Sequence, residues 1–288
     1  MTGVSGFTIV RNAVLLDYPF EASITSMEPL CDEIVIACGD SDDGTRELCR
    51  KLEARWPGKI RLLETVWERA AQTGGYQLKA QTDLALAACR NPWALYLQAD
   101  EVIHEADHPR ILHALDRARP RAEIDGIVFD YLHFYGNYSH VIRGRHWYRR
   151  EVRLLRTGSG LEAFRDAQGF RRGGRRVLGM PSGARVFHYG HVRSVESMRR
   201  KSEEMGRWWG ESPVTAEARL RPRRHVGVQV FQGTHPEPMA ARVARNAEYD
   251  DPLKRPRVWT ASEAKDWASL IWERFFPRIG EFRNYELG

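Results

Sequence analysis

"ALYLQADEVIHEAD", Ala94 to Asp107, decides how the chain is to be read. A short apolar run, the pattern of one buried strand, stops at a carboxylate pair, Asp100 and Glu101, with more acid and histidine behind it. In an open sheet of parallel strands, ligands bind outside the carboxyl ends of the strands. An acidic loop on its own is usually a solvated turn, so this one gains meaning only from what surrounds it.

Upstream, strand and helix signals alternate. "GFTIV" (6–10), "DEIVIAC" (32–38) and "KIRLLET" (59–65) are β-branched, strand-like runs. Between them lie "PFEASITSM", "GTRELCRKLEARW" with Leu48, Leu52 and Trp56 on one helical face, and "YQLKAQTDLALAAC" (76–89), stopped by Asn91-Pro92. With "WALYLQ" (93–98) as the fourth strand, this predicts an α/β fold: a mostly parallel central sheet flanked by helices, with right-handed crossovers. Three polar clusters then share one sheet edge: Arg11-Asn12 after the first strand, "CGDSDDGT" (38–45) after the second, and Asp100-Glu101 after the fourth. That common placement is what raises them above solvated turns.

Further along, "DGIVFDYLHFYGNY" (125–138), "EVRLLR" (151–156) and "GARVFHYGHVRS" (183–194) are strand-like, the last ending in His188 and His191, and a helix follows. From about residue 211 the chain becomes dotted with proline and arginine. "TASE" (260–263) is a capping box opening a helix with Trp267, Leu270, Ile271 and Phe275 along one side. The expected organisation is a main domain over 1–210 and a C-terminal helical appendage over 211–288, packed on that domain or on a second subunit.

Apolar content of 42% and charged content of 28% are those of a soluble globular protein. No apolar run has the length of a membrane span, and the first residues lack a signal-peptide layout, so a cytoplasmic place is expected, at most peripheral to the inner face of a membrane. The four cysteines show no zinc-type spacing and are expected to be buried thiols. The net charge of +6 comes largely from arginine, clustered at 143–156 and 171–176, a side chain suited to phosphate and carboxylate.

Taken in order, "FTIVRNA", "IVIACGDSDDGT" and "ALYLQADE" resemble the first strand, second-strand loop and metal strand of the family 2 glycosyltransferases, which have the Rossmann-like GT-A fold. "WYRREVRLLR" and the late "HYG" followed by Lys201 extend the resemblance over roughly 1–205. Two departures stand out: Gln98 takes the place of the usual first acid of the D-x-D, and Cys38-Gly39 stands where two acids often begin the second-strand loop. The resemblance implies an inverting, metal-dependent transfer of a sugar from a nucleotide-diphosphate sugar to an acceptor hydroxyl, in surface glycan or polysaccharide synthesis. A glycan or lipid-linked glycan is the expected acceptor.

The chemistry asks for particular groups. A departing diphosphate is neutralised by a hard divalent cation, Mn²⁺ or Mg²⁺, which keeps waters and substrate oxygens among its ligands. Asp100 and His188 are the expected protein ligands. Arg11, Asn12, Asp40 and Asp43 are expected at the nucleotide, Lys201 at the diphosphate, and the resemblance places Lys79 and Asp83 beside the donor. Lys79 and Asp83 are equally an ordinary i,i+4 ion pair. Inversion needs a base for the acceptor proton. The resemblance places it in a loop between the metal strand and the late histidine, where Asp166 is the first candidate and Glu151 the second. Competing readings are a transferase acting on a nucleic-acid or modified-base acceptor, and a sugar-nucleotide-binding module without catalysis, which the missing acid at Gln98 would suit.

Overall fold

The computed structural model describes residues 2–68, 75–209, 212, 220–276 and 284–288. The expected α/β architecture is what the chain adopts. Strands β1 (Val4–Val10), β2 (Glu33–Cys38), β3 (Ile60–Glu64) and β4 (Trp93–Tyr96) lie in the order β3-β2-β1-β4, every neighbouring pair parallel. Helices α1 (Phe20–Met27), α2 (Thr45–Arg55) and α3 (Tyr76–Ala87) fill the crossovers. The inner strands β1, β2 and β4 are largely apolar because helices cover both faces of the sheet, and Phe7, Ile34, Ile36, Leu95 and Tyr96 are wholly buried.

Beyond β4 the sheet continues through longer, partly antiparallel strands. Following β5 (Glu101–Ile103) and helix α4 (His108–Ala118) come β6 (Gly126–Tyr135), β7 (Asn137–Ile142) and β8 (Arg150–Arg156). Then β9 (Leu161–Phe164) and β10 (Gly169–Arg172) form a hairpin on β11 (Arg175–His191). Across the sheet the order runs β4-β8-β6-β11-β10-β9, with β5 pairing antiparallel to β11. Helix α4 carries its own sequence signal: Ile111, Ala114, Leu115 and Ala118, all buried, repeat at helical spacing. Cys31, Cys38 and Cys49 are buried free thiols, and Cys89 is half-buried.

Helix α5 (Val195–Trp209) follows β11. The tail lends the sheet two short strands, β12 (Val228–Val230) on β7 and β13 (Tyr285–Leu287) on β11. Between them lie a short helix α6 (Ala240–Ala244) and the long α7 (Ala261–Phe275). The cap predicted for α7 is present, Thr260 Oγ1 accepting from the Glu263 amide at 3.2 Å. Its packing reverses the expectation. Glu263 and Asp266 are buried against the domain, whereas Trp267, Ile271, Trp272 and Phe275 point to solvent. The inward acids meet cations already in place: Arg145 Nε donates to Asp266 at 2.8 Å, His225 Nε2 lies 3.1 Å from the same carboxylate, and Arg149 pairs with Glu273. Among the described residues no helix is long and apolar enough to cross a membrane.

Candidate functional site

The carboxylate pair that ends β4 divides between two environments. Glu101 opens β5 and turns into the core, where both its oxygens meet Arg153, at 2.9 and 2.8 Å, and Tyr131 Oη donates to it at 2.8 Å. Asp100 faces the sheet edge. The β5–β11 ladder sets its company: His188 is registered against Glu101, and the Tyr189 amide donates to the Asp100 carbonyl at 2.8 Å. Residues 88 positions apart thus become neighbours through one stretch of antiparallel pairing. The two oxygens of Asp100 have different surroundings. Oδ2 lies 3.4 Å from Arg193 and 3.6 Å from Lys201, and Oδ1 lies 3.8 Å from His188 Nε2. Burial pushes this carboxyl up, but His188, Lys201 and Arg193 outweigh it and hold the group well below the usual carboxylate range. Burial, with Arg193 adding to it, pushes Lys201 down to about 8.

Hydrogen bonding sets the tautomer of the neutral His188 ring. His133 Nε2 lies 2.6 Å from the Tyr148 carbonyl, which can only accept, so that nitrogen carries a proton. Burial lowers His133 to about 3, so its ring is neutral and its Nδ1 is bare. His188 Nδ1, at 3.0 Å, must therefore donate to it. Burial also lowers His188 from its ordinary value, and in the neutral ring Nε2 is then the lone pair on the Asp100 side. This is the tautomer a metal-ligating histidine requires. Gly190 keeps the space open, because a Cβ there would fall 2.7 Å from both Asp100 Oδ2 and His188 Nε2. Asp100 Oδ1 and His188 Nε2 could thus hold a divalent ion such as Mn²⁺ or Mg²⁺. Among the described residues no set of three or more His, Cys, Asp or Glu could do so, so the remaining ligands would be water and substrate oxygens.

A cavity of about 300 Å³ opens over this pair. It gathers Arg11, Asp100, Asp166, His188 and Lys201, five of the residues singled out in the sequence. Arg11 directly follows β1, its Nε donating to Asp40 at 3.3 Å and its Nη1 to Glu204 at 2.9 Å. Asp40 also accepts from the Trp67 amide at 3.1 Å, tying the loop after β2 to the end of β3. Asp166 sits in the β9–β10 turn between Arg165 and Ala167, both with positive φ, a backbone that turns the chain sharply toward the cavity.

Other candidates lie elsewhere. Asn12 accepts from the Asp42 amide at 3.2 Å, and Asp43 accepts from the Leu15 amide at 2.6 Å and the Thr45 amide at 3.1 Å, so both fasten the loop. Lys79 pairs with Asp83 at 2.7 Å and Glu162 at 2.8 Å, a tie from α3 to β9 outside the cavity lining. Four participants went unread. Arg193 follows the histidines by two residues, and Glu204 lies three beyond Lys201 on the same face of α5, a spacing that could have revealed it. For Tyr18, which lines the cavity with Arg193 over its ring, and for His133, one layer behind the ligand pair, no sequence signal existed.

Glu151 is buried beneath the site, 2% exposed, its Oε1 accepting from Gln168 at 2.7 Å and Asn284 at 2.8 Å, with Oε2 unpartnered. Burial pushes its carboxyl up to about 7, against the opposing pull of Arg153 and the two amides. Folding therefore takes up a proton between the ordinary carboxylate pKa and about 7, and the stability gained is lost as pH rises through that window. Glu151→Gln removes the titration. Its urea stability relative to wild type should rise between pH 5 and pH 8 by up to a few kcal/mol, and a difference that stays constant with pH would show that Glu151 is ionised throughout.

What fold and cavity define together is a sheet-edge site of mixed charge at the carboxyl ends of parallel strands. In sequence the chain is similar to a glycosyltransferase: it is 34% identical over 137 residues to the lipopolysaccharide core biosynthesis glycosyltransferase LpsC of Rhizobium meliloti (strain 1021). The match takes in 45% of this chain and 43% of that relative, so it spans less than half of either. No protein-family profile matches the chain. Among solved structures, the mannosyltransferase PcManGT from Pyrobaculum calidifontis, in complex with GDP-Man and Mn²⁺, aligns with a TM-score of 0.34 and 17% identity over 46% of this chain and 35% of that one. S. aureus TarS 1–349, in complex with UDP-GlcNAc, aligns with a TM-score of 0.39 and 12% identity over 75% of this chain and 69% of that one.

Proposed function

We propose that the chain is a GT-A-type, family 2-like glycosyltransferase. It moves a sugar, with inversion, from a nucleotide-diphosphate sugar to a hydroxyl of a glycan or lipid-linked glycan in surface polysaccharide synthesis. It does so in the cytoplasm, at most peripheral to a membrane. The observation that carries this reading is the convergence of Arg11, Asp100, His188, Lys201 and Asp166 on one cavity at the sheet edge. The partial similarity to LpsC supports the reaction class.

In this reading Arg11 and Asp40 meet the nucleoside, and Lys201 meets the diphosphate. The acceptor oxygen attacks the anomeric carbon, its proton passes to the Asp166 carboxylate, and the bond from that carbon to the diphosphate oxygen breaks. The nucleoside diphosphate leaves with the electron pair. Asp100 and His188 would hold a divalent cation, which would supply neutralisation of the departing charge. Glu151, buried and away from the cavity, is the poorer base.

Thermal denaturation with a panel of nucleotide sugars, with and without Mn²⁺, tests donor binding, since a ligand that binds the folded state raises the melting temperature increasingly as its concentration exceeds Kd. No shift with any donor would end the proposal, and donor binding without transfer would favour the inactive binding module. Asp166→Asn should keep the donor-induced shift while transfer falls by roughly 10²–10⁴-fold, the range for a lost general base; retained turnover would remove Asp166 from that role. Gly190→Ala should weaken Mn²⁺, followed by its electron paramagnetic resonance, by about tenfold or more. An unchanged Mn²⁺ titration would mean the ion sits elsewhere.

A further inference from the structure

Helix α7 is built the opposite way round from a surface helix of a globular protein. Its three acids, Glu263, Asp266 and Glu273, face the domain and meet Arg145, Arg149 and His225. Its large apolar residues face out: Trp267 is 52% exposed, Ile271 41%, Trp272 48% and Phe275 72%. Trp267, Ile271 and Phe275 repeat every four residues with Trp272 alongside, so they form one continuous stripe. Phe276, just after the helix, stacks on Trp272 at 4.3 Å and extends it, 51% exposed, and Trp259, just before the cap, is 57% exposed.

An exposed apolar stripe of this size calls for a partner, and the charges around it say which. Turning the acids inward leaves only cations on the outer side of the helix, Lys265 and Arg274, both exposed and placed on opposite borders of the stripe. Arg257, beside Trp259, adds a third. A second copy docked by two-fold symmetry would set like charges against each other. A stripe of tryptophan and phenylalanine bordered on its helix by lysine and arginine suits the headgroup level of an anionic bilayer, where the rings insert and the cations meet lipid phosphate.

We propose that the outward stripe of α7, aromatic and bordered by Lys265 and Arg274 because its acids are spent on inward ion pairs, docks the chain on an anionic lipid surface. The helix is tied through Arg145 and Arg149 to the loop that carries Tyr148, a residue of the cavity lining, so docking sets the cavity close to the lipid surface. The docking itself is independent of the transferase reading, and vesicle binding measures it without any donor.

The test is co-sedimentation of the full chain with phosphatidylcholine vesicles, with and without about a third of phosphatidylglycerol. The wild type should bind the anionic vesicles about tenfold or more better than the neutral ones, and high salt should weaken that preference. Trp267→Ser combined with Phe275→Ser should lower binding at least about tenfold with the melting temperature changed little, because neither side chain is part of the buried core. Lys265→Glu combined with Arg274→Glu should abolish the preference for anionic lipid. The proposal is overturned if wild type stays in the supernatant, if the Ser pair binds like wild type, or if the chain sediments as a dimer that the Ser pair dissociates.

Discussion

Glu101→Ala should cost about 3–5 kcal/mol of folding stability, the usual penalty for orphaning one partner of a buried ion pair. Glu101 and Arg153 are both fully buried, and the two carboxylate oxygens take the guanidinium fork while also accepting from Tyr131 and from the Gln98 amide, at 2.8 and 3.1 Å. Removing the acid strands a charge that cannot reach water and cannot lose its proton. Against a total of roughly 5–15 kcal/mol for a typical domain, such a loss threatens folding at physiological temperature. Urea denaturation at neutral pH measures it. The double variant Glu101→Leu with Arg153→Met should recover most of the loss, since replacing both partners leaves no charge unpaired. A single-variant cost under about 1 kcal/mol would mean that Arg153 finds water when Glu101 is gone.

Asp100→Asn should abolish Mn²⁺-dependent stabilisation by nucleoside diphosphates and lower transfer by roughly 10³-fold, the size of effect seen when a preorganised electrostatic contact to developing charge is lost. Asparagine keeps the shape of the side chain but gives up the anion that Lys201 and Arg193 surround. Asp100→Ala is the harsher change, because it leaves the buried Arg193 and the half-buried Lys201 facing each other across an empty space and should destabilise the fold as well. With its acid gone, Lys201 should titrate further below its present value of about 8. Mn²⁺ titration, transfer rate and the lysine's pH dependence together separate loss of the ion from loss of the fold. An Asn variant that still shows the Mn²⁺-dependent thermal shift would take Asp100 out of the metal site.

The adjacent acids 100 and 101 show where sequence stops being informative. Both look alike in the chain, yet one is a cavity anion and the other a core strut, because successive residues entering a strand point to opposite sides. Which side is the core depends on Arg153, which comes from β8, and on Tyr131, from β6. The same reasoning explains α7. The period of Trp267, Ile271 and Phe275 correctly marks a helix with an apolar face, but period carries no information about which face meets the protein. The arginines of the 143–150 segment made that choice by pairing with the acids.

By itself the sequence determined the alternation of strand and helix in the first hundred residues and the sheet edge at which the polar clusters gather. These follow from hydrophobic period and chain direction, which are local. Tertiary structure decided which polar groups meet: His188 beside Asp100 through the β5–β11 register, His133 fixing the tautomer of His188, Glu204 on Arg11, and Glu151 sealed below the cavity. Contacts between residues far apart in the chain depend on strand pairing and burial, and no short-range pattern encodes them.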